Sequence, residues 1–195
     1  MKAYYHARAR EYDDWWLGQN LYADKDRPGW DEERAQLERW IEELPPKRTL
    51  DVACGTGFMT RRLRGEVTGL DQSDAMLDVA REQAPAATFV QADALSLPFP
   101  DGSFERVFTS HFYGHLEDAD RERFLAEARL VAPELVVLDA ALHEGEPRAE
   151  WQERVLEDGS RWTVYKRFFT AEGLLAELGG GTVLHQGTWF VLVQA

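Results

Sequence analysis

Cysteine is nearly missing: Cys54 is the only one in 195 residues. No internal disulfide can form, and a reducing, cytoplasmic setting is the expected one. No apolar run approaches the ~18–20 residues that span a bilayer. The opening stretch, MKAYYHARAREYDDWW, has no apolar signal core. Positive charge is scarce as well: 22 Lys and Arg stand against 35 Asp and Glu, a formal charge of −13. Affinity for a phosphate backbone comes mostly from Lys and Arg, so this balance disfavours a DNA or RNA substrate. It disfavours an anionic membrane surface equally. Internal repeats and low-complexity segments are absent.

The remaining composition, 44% hydrophobic and 29% charged, suits a globular domain with one core. Residues 1–195 read as one domain. A helical N-terminal cap spans 1–44, with helices over 2–12 and 29–43, and Pro45-Pro46 stops the second. Strands and helices then alternate. RTLDVA, EVTGLD, ATFVQAD, FERVFTS and ELVVLDAAL read as strands. FMTRRLR, a segment from an N-cap at Ser73 to about Gln83, and Arg121–Val131 read as helices. Alternation at this spacing implies a parallel, doubly wound α/β sheet covered on both faces. Right-handed crossovers place the loops after the strands on one edge, where ligands bind. The tail differs. After a helix in FFTAEGLLAELGG, TVLHQGTWFVLVQA is two short strands broken at Gly187, an antiparallel edge hairpin that makes seven strands in all. An insertion over 142–169, charged and tryptophan-rich, is a candidate substrate wall.

The stretch LDVACGTGFMTRRL, Leu50 to Leu63, carries the first chemical signal. Gly55 and Gly57 allow a sharp turn and close approach of a ligand to the backbone. A phosphate loop requires Gly-Lys-Ser/Thr, but Phe58 and Met59 follow Gly57. A dinucleotide fingerprint, G-x-G-x-x-G, requires a third glycine where Thr60 stands. Asp51 lies in the first strand, Asp71 ends the second and Asp93 ends the third. Three carboxylates in one crevice repel a pyrophosphate and suit a nucleoside with a cationic, amine-bearing tail. Asp71 is placed to accept from a ribose diol.

LDVACGTG, VTGLDQSDAMLDVARE and VQADALSLPFPDGSFERVFTSHFYGHLED resemble, in order and spacing, the motifs of the seven-strand class I S-adenosylmethionine-dependent methyltransferases, over Leu50 to Leu138. The resemblance implies S-adenosylmethionine as cofactor and roles for named residues. Asp51 and the backbone of Ala53, Cys54 and Gly55 would hold the methionine end. The family most often has glycine at the place of Ala53. Asp71 would bind the ribose, with Gln72 and Met76 along ribose and adenine. Asp93 would accept from the adenine amino group, near the amides of Ala94 or Leu95. Ser110 and His111 would border the methyl group, and Tyr12, paired with Asp13, would belong to an N-terminal lid. The expected activity is in-line methyl transfer to a small-molecule acceptor. An NAD-type oxidoreductase and a non-catalytic cofactor-binding or scaffold protein stand as alternatives.

His111 is the first candidate for a catalytic base, with Tyr113 and His143 behind it. His111 and His115, four apart, would need a helix and a third ligand to hold a metal. Gly114 lies between them and no third ligand suggests itself, so no metal is expected. Beyond its backbone, the Cys54 side chain reads as a small core filler and not as a catalytic thiol.

Overall fold

A computed structural model describes residues 2–195. Five parallel strands, β1 (Thr49–Val52), β2 (Val67–Asp71), β3 (Thr88–Gln91), β4 (Arg106–Ser110) and β5 (Glu134–Ala140), form one sheet with β8 (Thr182–Gln186) and β9 (Phe190–Gln194). The strand order is β3-β2-β1-β4-β5-β9-β8, and β9 runs antiparallel to both β5 and β8. The order reverses direction between β1 and β4, which is where a ligand crevice opens in such sheets.

The inner strands β1, β2, β4, β5 and β9 are buried on both faces because their apolar residues fill both sides of the pleat, while the edge strands β3 and β8 are partly exposed. Leu50, Val52, Val107 and Val137 meet Phe124, Ala128 and Val131 of α5 (Asp118–Val131) and Leu174 and Leu178 of α6 (Ala171–Leu178). Phe108, Val136, Leu138 and Phe190 point the other way, onto Trp16, Trp30, Leu37 and Ile41. Those last residues belong to α2 (Tyr12–Leu17) and α3 (Trp30–Glu43). α4 (Asp74–Gln83) starts as expected at Ser73, whose hydroxyl accepts from the Met76 amide.

Two local expectations are corrected. The helix expected over 2–12 is broken: α1 spans Lys2–Arg8, and α2 starts at Tyr12 and ends where Gly18 takes a left-handed cap. FMTRRLR is only a 3-10 turn, Thr60–Arg62. Gly57 and Gly65 both stand at positive φ and leave residues 58–64 less than two α-turns of length between them. The insertion over 142–169 takes a regular form. Most of that stretch is a regular hairpin, β6 (Ala149–Val155) and β7 (Arg161–Arg167), outside the main sheet. Its turn carries Asp158-Gly159, a strong hairpin signal.

The hairpin and α1 share a small core of Tyr4, Leu156 and Val164. Their union forms a roof beside the carboxyl ends of β4 and β5. Glu11 accepts from the Glu157 amide at 2.8 Å, and His6 reaches Asp74 of α4 at 3.0 Å. Among the described residues no helix is long and apolar enough to cross a membrane.

Candidate active site

The turn after β1 is built around backbone that only small residues tolerate. Gly55 and Gly57 stand at φ 56° and 78°, and Ala53 at 57°. A Cβ on Gly55 would lie 3.7 Å from the Tyr12 ring. α2 is fixed to this turn: Asp13 accepts from the Thr56 hydroxyl and from Gln83 Nε2, each at 2.5 Å.

Asp71 accepts from the Ser73 amide at 2.8 Å and the Gly55 amide at 3.1 Å, which ties the tip of β2 to the turn. Burial, the largest influence, raises its pKa, and the backbone amides of Ser73, Gly55 and Gln72 pull it back. Asp51 is 1% exposed. Its Oδ2 accepts from the Thr60 hydroxyl at 2.6 Å, and its buried Oδ1 has no partner. Burial pushes its pKa up to about 7; the Thr60 bond lowers it and the Asp71 charge raises it. Thr60 thus fills the third-glycine position of a dinucleotide fingerprint with a hydroxyl committed to Asp51. Asp93 is exposed, and its Oδ1 accepts from the Leu95 amide at 2.9 Å.

A cavity of about 220 Å³ lies at these strand ends. Ala53, Gly55, Asp71, Gln72 and Met76 line one part of it. Asp93, Ala94, Leu95, Ser110 and Tyr12 line another. Asp51 and Cys54 line a small adjoining recess together with Tyr12, Ala53 and Ser110. Burial pushes the Cys54 thiol well up, so it is a neutral, unreactive wall at neutral pH. All twelve residues expected at a cofactor site are therefore gathered at one place.

A second cavity, about 350 Å³, lies under the roof. Tyr5, Tyr12 and His111 border both cavities. His111 stands at φ 53°, buried among Trp15, Trp16 and Phe190. A non-glycine residue in that conformation is strained, a feature concentrated at functional sites. Burial first, then the charges of Lys166, Arg154 and Arg8, hold its imidazole well below the usual histidine range. Neutral at pH 7, it is a weak proton acceptor.

The other catalytic candidates separate. His143 lines the second cavity and packs on Trp189. Tyr113 lines neither cavity: it is 1% exposed, packs on Phe124 and Phe169, and turns its hydroxyl to Glu177 at 3.3 Å. It sits in the core because it opens a 3-10 turn, Tyr113–His115, that folds away from the strand end. His115 combines two roles: its Nδ1 donates to the Tyr165 carbonyl at 2.6 Å, and its ring lines the second cavity. Burial drives its pKa down to about 3. Among the described residues no three His, Cys, Asp or Glu side chains cluster as a metal site.

Sequence reading missed Arg8, Arg27, Trp30 and Trp189, which also line the second cavity. Only Arg8 carried a local signal: it lies one helical turn after Tyr4 and donates to its hydroxyl at 3.1 Å.

Residues 49–134 match a family model described as "Methyltransferase domain". The solved "DhpI-SAM-HEP complex" is 29% identical with a TM-score of 0.78, covering 98% of this chain and 94% of that one. The "DhpI-SAH complex structure" is 28% identical with a TM-score of 0.76 and covers 98% and 92%. Among curated relatives, the demethylmenaquinone methyltransferase of Thermus thermophilus is 43% identical over 109 residues, 50% of this chain and 49% of the relative. The malonyl-[acyl-carrier protein] O-methyltransferase of Erwinia pyrifoliae is 37% identical over 128 residues, 60% of this chain and 47% of the relative. The chain spans about half the length of these curated relatives.

Proposed function

We propose that this chain, which belongs to the S-adenosylmethionine-dependent methyltransferases of Rossmann-like fold, transfers a methyl group to a small-molecule acceptor. The observation that carries the reading is the meeting of Asp51, Asp71 and Asp93, from three neighbouring strands, around one glycine turn. The residues fit the cofactor. Asp51 keeps a buried carboxylate oxygen without a partner, a feature that needs a positively charged or donor group to satisfy it.

When bound, S-adenosylmethionine supplies an electrophilic methyl group on a sulfonium. Asp71 has lone pairs left after its two backbone bonds and accepts from the ribose hydroxyls. Asp51 accepts from the amine of the methionine end. Asp93 accepts from the adenine amino group with the oxygen that Leu95 leaves free. Gln72 and Met76 flank ribose and adenine, and Ala94 and Leu95 present backbone beside the ring. His111 stands at the junction of the two cavities, with Ser110 beside it in the first, and the two would border the methyl group as it meets the acceptor. Holding methyl group and acceptor in line accounts for roughly 7–11 kcal/mol of barrier in reactions of this kind. Tyr12, Trp15 and Trp16 would exclude water around the sulfonium, surroundings that would favour loss of its positive charge. A reducing cytoplasmic setting belongs to the proposal, supported by the single cysteine.

Calorimetric titration with S-adenosylhomocysteine tests the reading. Saturable binding near one per chain is expected; no heat at high protein concentration would overturn it.

A further inference from the structure

The chain carries a formal charge of −13, yet its larger cavity gathers cations. Arg8, Arg27, Arg154 and Lys166 line it, against two carboxylates, Glu146 and Glu150. Glu146 is exposed, and Glu150 is engaged by Gln152 Nε2 at 2.5 Å. Lys166 is neutralised by Asp139, 2.6 Å away. Arg27 lies 3.9 Å over the Trp30 ring and donates to the Trp15 carbonyl.

Unlike Lys166, Arg8, Arg27 and Arg154 have no carboxylate within ion-pair distance among the described residues; Arg27 is set apart by its seat on the Trp30 ring and its bond to a backbone carbonyl. Among the described residues Arg154 donates only to the Gln152 side chain. Arg8 is 7% exposed. It gives one bond each to the Tyr4 and Tyr22 hydroxyls at 3.1 Å, and its buried Nε has no acceptor. A buried guanidinium with only neutral partners is costly unless an anion completes it. Planar, forked donors match carboxylate and phosphoryl oxygens in particular. Tyr4, Tyr5, Trp15, Trp30 and Trp189 supply an aromatic wall around these cations.

We propose that this cavity binds a small organic oxyanion, a carboxylic or phosphoryl acid with an apolar body, through Arg8 and Arg154, as the substrate class of the methyl transfer. This rests on the methyltransferase reading, because His111, Tyr5 and Tyr12 are what join the cavity to the cofactor's. The unpartnered Nε2 of His111 lies at that junction and can donate to or accept from the same ligand, according to its tautomer.

The test uses phenylacetate, phenylphosphonate and the neutral isostere phenylacetamide, titrated against the full chain with and without S-adenosylhomocysteine. The readouts are calorimetry and fluorescence of the cavity tryptophans. At least one acid is expected to bind ten-fold or more tighter than the amide, and which acid does so separates carboxylate from phosphoryl recognition. Arg154→Gln, on the cavity rim, is expected to weaken that acid ten-fold or more while S-adenosylhomocysteine binds within two-fold of wild type. Arg8→Lys, which keeps the charge and loses the fork, serves as the second variant and is expected to weaken the acid as well. Equal binding of acids and amide, no binding of either acid, or unchanged acid affinity in both variants would overturn the site. Should the acids bind and S-adenosylhomocysteine not, the anion site stands and the methyl-transfer reading falls. The reverse pattern overturns the anion site alone.

Discussion

The Thr60 hydroxyl donates to Asp51 Oδ2 at 2.6 Å and leaves Oδ1 of the same buried carboxylate bare. Burial raises the Asp51 pKa to about 7. The folded, ligand-free protein therefore holds a proton that the unfolded chain has released. Its contribution to stability is full below the unfolded carboxylate range near 3.8 and is lost as pH rises toward about 7. A ligand with a cationic amine favours the charged carboxylate, so its affinity moves the opposite way. S-adenosylmethionine is expected to bind about ten-fold more weakly per pH unit below about 7. Titrations at pH 5.5, 6.5 and 7.5 check this, and Asp51→Asn should bind weakly with the slope gone.

His111 is held uncharged by its surroundings. Its imidazole resonances are expected to show no titration between pH 8 and 5. Heteronuclear NMR of the ring nitrogens reads this directly, and protonation near pH 6.5 would contradict the burial argument.

Tyr113 is a core residue whose hydroxyl donates to Glu177. Tyr113→Phe is expected to cost less than about 1.5 kcal/mol, the net worth of a typical hydrogen bond. Cofactor affinity should stay within two-fold of wild type. Thermal melts and calorimetry together separate this from a role at the site.

Ala53 stands at φ 57°, where a β-carbon is strained. Ala53→Gly is expected to relieve ~1–2 kcal/mol of steric strain, partly offset by the flexibility of glycine when unfolded. The variant should melt no lower than wild type. Ala53→Val, branched at the β-carbon, should melt lower by several degrees.

Much of this architecture was legible in the sequence for a physical reason. Strands buried on both faces read as short apolar runs between turn signals, and Asp51, Asp71 and Asp93 fall at or near the ends of such runs. The hairpin of β6 and β7 stayed hidden because the alternation of β6 is inverted. Glu150, Gln152 and Arg154 face the cavity while Trp151 and Val155 face solvent. A polar inner face and an apolar outer face defeat the usual pattern. Arg8 and Arg154 reach one cavity from positions 146 residues apart in the chain, a meeting that spacing does not encode. The place of Tyr113 and His115 after a strand does not say which of them faces a cavity; the 3-10 turn decides that.

The account turns on Asp71 binding a ribose beside the glycine turn. Charge-assisted hydrogen bonds contribute roughly twice what neutral ones do. Loss of two therefore predicts at least about thirty-fold weaker S-adenosylhomocysteine binding by Asp71→Ala, at ~1.4 kcal/mol per ten-fold. Circular dichroism must show that variant folded, and Asp71→Asn, which retains one acceptor, should fall between it and wild type. Calorimetric affinity of folded Asp71→Ala equal to that of wild type would place the nucleoside elsewhere and contradict the account.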